Sequence, residues 1–518
     1  MRHPRTRAAI LSGVLVLVVA LAEGLLAPGG DDAAPAGAAK LVPASALIYV
    51  HALTGSKRPG TQRALRLARR FPAFARAQTA AEAALGRFGR GTGVDFARDV
   101  RPWLGEEAAA ALVGVSPTRA ASVIVLAVSD RAGAREFLQR LGRPRGAQRY
   151  RGVRLELFGT QSYAFSGSWL LLGPPDAVRA ALDAQAGRRR ALADDPVFSR
   201  AEDGAPGDRV ADVYATAGGV RRLLTPRGGA LGFAGASLDQ PGLQGVALSL
   251  TAHDATASLR VHWALSGGPG VPGGLPLSVF DETLPQTLPG PVSALVDVAG
   301  LNRALPGLVG SLLPRRLLAR LAAAGLDLGA DVAPLLAGEA ALAVYARPQG
   351  PAVLLVARVR SEARAREALA RLQGPLISLV APGAEAAGVS PTFTQRRLPG
   401  LTAYGLRLGP GVELDYAVGG GRVALTTDFG LLRALARTDA RADQQPLFEE
   451  TVGPRAPRSA AVAFADLKAL LLAAKRSGLA ADPRYAALAR DLGPIRAVGF
   501  RAAGGQRDSR AEITLSIP

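Results

Sequence analysis

At 518 residues, of which 48% are hydrophobic, the chain is long enough for two or three domains and can bury a core unaided. It has no cysteine, which excludes disulfides, iron–sulfur clusters, thiolate zinc sites and cysteine nucleophiles together. The formal net charge is +20, and apart from Lys40, Lys57, Lys468 and Lys475 the cationic side chains are arginines. Such a surface attracts anionic lipid headgroups or acidic envelope polymer. Without a binding motif or interleaved aromatic and basic residues, nucleic acid is not an expected partner.

Met1–Arg7 carries three arginines, and residues 8–22 follow as fifteen apolar residues without a charge. Fifteen helical residues span about 22 Å, short of a bilayer core of roughly 30 Å; continuing past Glu23 to Ala27 closes the gap. Residues 1–27 are therefore expected to be a signal-anchor, or a signal peptide cleaved near Ala36-Gly37-Ala38. The arginines hold the N-terminus in the cytoplasm, which leaves residues 41–518 extracytoplasmic, and secreted if the segment is cleaved. Residues 28–40, rich in Pro, Gly, Ala and Asp, are expected to be a flexible tether.

The first domain is expected over 41–265. It opens with a strand at 46–53 after Pro43 and continues into helix over 59–90, where Leu65, Ala68, Phe71, Phe74, Ala81, Leu85 and Phe88 repeat at helical spacing. Further helices are expected around 131–141 and 175–187. Residues 266–287 are expected to be a Pro/Gly-rich linker. Gly268, Gly270 and Gly273 fit G-x-G-x-x-G formally, but two prolines interrupt them and no helix follows directly, so no phosphate site is expected. The second domain is expected over 288–518. In it, residues 308–325 carry apolar side chains around most of the helix, as in a helix buried on all sides or lining an apolar cavity.

The chain is written twice. Residues 93–112, GVDFARDVRPWLGEEAAAAL, align at an offset of 232 with residues 325–344, GLDLGADVAPLLAGEAALAV. Asp95 meets Asp327, Asp99 meets Asp331, Pro102 meets Pro334, Leu104 meets Leu336 and Glu107 meets Glu339. Paired segments continue in the same order. Residues 122–141 match 352–372, with Arg135-Glu136 against Arg366-Glu367. Residues 162–173 match 415–426, with Tyr163 against Tyr416 and Gly167 against Gly420. DDPVFSR (194–200) then matches QQPLFEE (444–450), and each half ends on two strand-like runs, 245–265 and 497–517. The fold class expected is α+β: two tandem homologous domains from an internal duplication, each a largely antiparallel sheet with helices on one face, after an N-terminal transmembrane or signal helix.

No catalytic, cofactor or metal residue stands out. The four histidines, His3, His51, His253 and His262, lack ligand spacing, and there is no G-x-S-x-G elbow or P-loop. Thr54-Gly55-Ser56-Lys57 has a nucleophile-x-x-Lys spacing but no companion motif, and reads as a loop. The recurring acids Asp95, Asp99, Glu107, Asp327, Asp331 and Glu339 could pair for acid–base work or hold a hard cation. The structural reading makes Asp95 a helix cap, Asp99 a first-turn acid and Glu107 the opening of a strand, paired with a recurring arginine.

The opening LVPASALIYVHAL, the block GVDFARDVRPWLGEEAAAAL and the segment VIVLAVSDRAGAREFLQRL resemble the uncharacterised bacterial domain of unknown function 3352, over residues 41 to the C-terminus. The resemblance implies an exported or N-terminally anchored protein and brings no activity, cofactor or catalytic residue with it. The leading functional expectation is a membrane-tethered, non-enzymatic binding or scaffolding module at the cell envelope. Its partners would be the membrane through the N-terminal helix and anionic polymer, lipid or envelope proteins. The second is a carrier or sensor of a lipid-like apolar ligand held between helices 301–325 and 59–90. The third is a hydrolase using the recurring carboxylates.

Overall fold

The structure is a computed structural model. It describes residues 37–54, 59–71, 74, 96–114, 120–224, 238–239, 242–266, 277–305, 315–348, 350–386, 388–409, 412–437, 441–478, 483–504 and 508–518. The expected membrane segment 1–27, His3, Asp95 and most of the expected helix 59–90 lie outside these residues. Among the described residues no helix is long and apolar enough to cross a membrane.

The chain divides into two compact units, one of Met1–Gly273 with Gln506–Arg510 and Ile517, the other of Gly274–Gly505 with Ala511–Ser516 and Pro518, and the fold is α+β in both. In unit 1 the strands are β1 (Ala46–Leu53), β2 (Leu104–Gly114), β3 (Ala120–Val128), β4 (Gly146–Tyr150), β5 (Val153–Phe158), β6 (Gln161–Ser166), β7 (Trp169–Gly173), β8 (Ala211–Thr216), β9 (Leu243–Ala252) and β10 (Thr256–Leu265). They lie antiparallel in the order β10-β9-β8-β1-β2-β3-β7-β6-β5-β4. Three meanders are thus joined where β8 returns to β1 and β7 returns to β3.

Unit 2 has β11 (Ala294–Ala299), β12 (Glu339–Arg347), β13 (Gly350–Arg358), β14 (Phe393–Leu398), β15 (Leu401–Gly409), β16 (Val412–Gly419), β17 (Arg422–Thr426), β18 (Ser459–Asp466), β19 (Ala497–Gly504) and β20 (Asp508–Ser516). Their order, β20-β19-β18-β11-β12-β13-β17-β16-β15-β14, repeats that of unit 1 strand for strand. The matched Gly167 and Gly420 take the same left-handed conformation, φ +58° and +59°, in the turn after β6 and after β16. A side chain is strained there, which accounts for glycine at both places.

Helices cover both faces of the unit 1 sheet, a correction to the expectation of one. On one face α2 (Pro175–Gln185) packs Ala177, Val178, Ala181 and Leu182 against Tyr49, Ala109, Ala111, Val123 and Val125. On the other, α1 (Arg131–Leu141), capped by Asp130, packs Ala134, Phe137 and Leu138 against Val50, Ala108, Ala110, Ile124 and Leu126. The central strands carry unbroken apolar runs, AAAALV and SVIVLAV, as strands buried on both faces do; strict alternation would have meant one wet face.

Three boundaries also move. The described part of the tether is packed, since Ala38 and Ala39 are buried in the first core cluster. The expected linker ends early: Phe280 bridges to Ser459, and Leu284 sits in the core of unit 2. The described part of the Leu-rich helix, α3 (Arg315–Ala323), is not buried on all sides, because Arg316 and Arg320 stand exposed along one side of it.

Candidate functional site

The recurring glutamates Glu107 and Glu339 each lie in a buried polar cluster within the sheets. In unit 1, β1 contributes His51, whose register partners are Ala109 on β2 and Asp212 on β8; Asp212 in turn faces Ser249 on β9. His51 Nδ1 lies 3.3 Å from Asp212 Oδ2, and His51 Nε2 lies 3.5 Å from Glu107 Oε2. The Ser249 hydroxyl donates to Asp212 Oδ1 at 2.9 Å, and Arg209 Nε donates to Asp212 Oδ2 at 2.7 Å. The backbone N–H of Ala38 donates to Glu107 at 3.0 Å. Among the described residues Glu107 therefore pairs with a histidine and a backbone amide, not with the expected recurring arginine.

Burial alone lowers the His51 pKa, but hydrogen bonds and charge from Asp212 and Glu107 outweigh it, and the imidazole ends raised above its usual value. Nearby Glu202 is pushed up to about 7 by burial and by the Asp212 charge, with Arg209 opposing. Serine, histidine and aspartate do meet here, but the serine bonds to the aspartate and not to the imidazole, so the hydroxyl has no base to activate it. His51, Glu107 and Asp212 are each at most 5% exposed.

The same sheet position in unit 2 holds different chemistry. Asp297 on β11 takes the place of His51, opposite Ala341 on β12 and Val462 on β18, and Val462 faces Arg501 on β19. Asp297 is fully buried. Burial, then repulsion from Glu339, lifts its pKa to about 9, so it is a neutral acid at pH 7. Glu339 accepts from the backbone N–H of Thr283 at 2.6 Å and of Leu284 at 2.8 Å, and also from the Thr283 hydroxyl. Glu282 is gripped by Arg501 through two bonds of 3.1 Å and by the Ser459 hydroxyl.

Of the other recurring acids, Asp327, Asp331 and Asp99 bond to amides and arginines near them. Asp327 caps the turn Leu328–Val332 by accepting from Gly329 N at 2.8 Å and Ala330 N at 3.1 Å, while Asp331 accepts from Asp327 N at 2.9 Å. Asp99 pairs with Arg98 and Arg140, each at 3.1 Å, and its carbonyl takes the Trp103 indole N–H at 2.8 Å. The Thr54 hydroxyl donates to the Gly105 carbonyl at 2.5 Å. Among the described residues no group of three or more His, Asp or Glu side chains is arranged to hold a metal ion.

The opening in unit 2 is apolar. A cavity of about 430 Å³ is lined by Leu305, Leu318, Leu321, Leu326 and Leu328, with Asp327 the one charged group among its described residues. Beside it the sheet itself is bare. Val296 and its cross-strand partner Leu342 are 46% and 43% exposed, whereas the equivalent pair in unit 1, Val50 and Ala110, is 9% and 6% exposed. Neither the buried Asp212 and Asp297 nor the bare face was expected from the sequence. Asp212 and Asp297 carry a signal, a lone acid inside an apolar strand; the bare face carries none until the two registers are compared.

A family model described as a protein of unknown function, DUF3352, matches residues 6–378, beginning inside the N-terminal segment and ending in unit 2. No curated protein matches. Among solved structures, crystal form III of TP0453 is 10% identical with a TM-score of 0.26, over 46% of this chain and 81% of that one. Crystal form I of TP0453 is 13% identical with a TM-score of 0.25, over 45% and 80%. Likeness at that level carries no inference.

Proposed function

This chain belongs to the DUF3352 family of proteins of unknown function, and on that premise we propose that it is a membrane-tethered, extracytoplasmic binding or scaffolding module without catalytic activity. Its two units descend from one duplicated domain: the paired sequence segments and the repeated strand order support this together. The N-terminal apolar segment anchors it, and the arginine-rich surface faces anionic envelope material.

The observation that carries the non-enzymatic reading is the sealing of the acid–base groups. His51, Glu107, Asp212, Asp297 and Glu339 are each at most 6% exposed, and around the shared glutamate the two units hold unlike groups, His51 and Asp212 in one, Asp297 and Val462 in the other. Protease treatment of intact and lysed cells, followed by cross-linking on the same membranes, tests the proposal. Digestion of residues beyond 41 in intact cells and a stoichiometric cross-linked ligand or partner are expected. Protection until lysis would sink the topology.

A second reading, a carrier or sensor of a lipid-like apolar ligand, is favoured by the cavity of about 430 Å³ within unit 2, a volume in the range of small-molecule sites.

A further inference from the structure

The chain enters unit 1 beside a run of three arginines. Gly37 is the first described residue, and from there the chain is built into the fold. The Ala38 amide is held by the buried Glu107, and Leu41 and Val42 lie in the core. The residues that follow pair with the segment after α2. Leu192 N donates to Val42 O at 2.7 Å, Pro43 bridges to Ala191, and Ala44 N donates to Arg190 O at 2.9 Å. Arg188, Arg189 and Arg190 are all exposed.

Two further arginines join this run through Asp183. Arg188 Nη1 and Arg151 Nε lie 3.6 Å and 3.4 Å from Asp183 Oδ1. The Tyr150 hydroxyl donates to Asp183 Oδ2 at 2.8 Å, and Arg151 and Arg179 stand over the Tyr150 ring, 5.4 Å and 5.6 Å from its centroid. Five arginines thus face two acids, Asp183 and the Asp176 that pairs with Arg179 at 3.5 Å. Lys40 and Asp194, both exposed on the two paired segments, add one charge of each sign. Folding explains only part of the cluster. Arg151 and Arg188 neutralise the nearly buried Asp183, and a cation in the last turn of a helix favours its dipole. Arg189 and Arg190 lie past the end of α2, and among the described residues no acid pairs with them.

Nine residues, 28–36, separate Gly37 from the end of the apolar segment at Ala27. Fully extended they reach at most about 32 Å. An anchored chain therefore keeps the arginine cluster close to lipid headgroups, and a short lead makes their effective concentration high. We infer that unit 1 docks on anionic headgroups of the membrane that anchors it, through Arg151, Arg179, Arg188, Arg189 and Arg190 beside the point where the chain enters. This rests on the reading of the protein as membrane-tethered and names the partner of its basic surface.

The test uses the full chain reconstituted into vesicles. It has no cysteine, so Ala186→Cys places a single bimane label at the exposed end of α2, next to the arginines. A spin-labelled lipid headgroup quenches bimane on close approach. Quenching is expected in an equal mixture of phosphatidylcholine and phosphatidylglycerol, not in phosphatidylcholine alone, and should fall with added salt. The same label at Gln139→Cys, exposed on α1 across the sheet, should stay bright in both. Arg189→Gln with Arg190→Gln should lower the ratio of docked to undocked chain about fivefold for each arginine, and Arg189→Lys with Arg190→Lys should keep it. Equal quenching in the two vesicle types, equal quenching at Gln139→Cys, or indifference to the Gln pair overturns the docking surface. Arginine-dependent capture of soluble polyglutamate without quenching by anionic vesicles would give the cluster to an acidic polymer instead. A chain that floats with both vesicle types and is never quenched keeps the tether and loses the docking. One that floats only with anionic vesicles and is quenched at Ala186→Cys keeps the docking and loses the anchor; one that floats with neither ends both.

Discussion

His51 and Asp297 occupy one position in one fold, and they solve the same problem with opposite chemistry. In unit 1 a base sits between two acids, Glu107 and Asp212. In unit 2 an acid sits beside Glu339, the place of Asp212 is taken by Val462, and Asp297 keeps its proton and so adds no second charge. What is shared is the glutamate at the start of β2 or β12, which accepts backbone amides from the segment leading into each unit: Ala38 for Glu107, Thr283 and Leu284 for Glu339. The shared group has an anchoring task, and the groups around it need only avoid adding an unpaired charge. A catalytic position would demand the same functional group in any working copy; a buried counter-charge demands only neutrality.

The sharpest way to break this comparison is to remove one counter-charge. His51→Leu leaves Glu107 and Asp212 buried against a hydrocarbon, and should destabilise unit 1 by about 3–5 kcal/mol. All three tryptophans, Trp103, Trp169 and Trp263, lie in unit 1, so tryptophan fluorescence during denaturant unfolding reports this unit alone. A shift under about 1 kcal/mol would mean the acids find other partners, and the charge-balance account would fail.

Asp297→Asn should act in the other direction. The folded carboxyl titrates near 9 and the unfolded one near 3.8, so its pKa is raised on folding. The fold's preference for the protonated form is fully present below about pH 4 and is lost as pH rises toward 9. Unit 2 should therefore lose stability over that window, by up to about 1.4 kcal/mol per pH unit. Asn keeps the shape and cannot ionise, so the variant should flatten this slope and gain roughly 2–4 kcal/mol at pH 7. Hydrogen exchange in β11 and β12, followed against pH, measures it; an unchanged slope would place the proton elsewhere.

The sequence made the paired segments, the antiparallel sheets and a capping acid at the matched Asp95 and Asp327 position legible, because each is local or periodic. Paired blocks need only alignment, strand pairs show as adjacent apolar runs, and Asp327 precedes its own turn. The His51 cluster was not legible. Its members come from residues 51, 107, 209 and 212, and only the β1–β8 and β1–β2 registers bring them together. Glu107 was expected to meet an arginine because arginine is abundant, and composition says nothing of register. The second covered face of the sheet was visible in AAAALV and SVIVLAV, but a run without alternation does not say what will cover it.

A smaller effect separates the capping acids from the charge-balancing ones. Asp327 is exposed and bonds only to the amides of its own turn among the described residues, so Asp327→Ala should cost about 1 kcal/mol, as loss of a cap does. Asp212→Ala, at a buried position bonded to Arg209, His51 and Ser249, should cost several times more. Equal losses would show that the recurring acids and the buried cluster are not distinct in kind.

The smallest expected effect bears on the bare face. Val50 and Val296 are equivalent in register, but Val50 is packed in a continuous cluster and Val296 is nearly half exposed. Val50→Ser removes buried methyl groups and leaves a hydroxyl in an apolar setting, and should cost roughly 2 kcal/mol in the tryptophan-reported transition. Val296→Ser removes methyl groups already in contact with water and should stay within about 0.5 kcal/mol in unit 2. The asymmetry matters because an apolar side chain that adds nothing to folding is free to be kept for contact with something else. If Val296→Ser instead costs as much as Val50→Ser, Val296 is needed for the fold itself. The opening over β11 and β12 would then be a packed surface, with no side chain spare for contact.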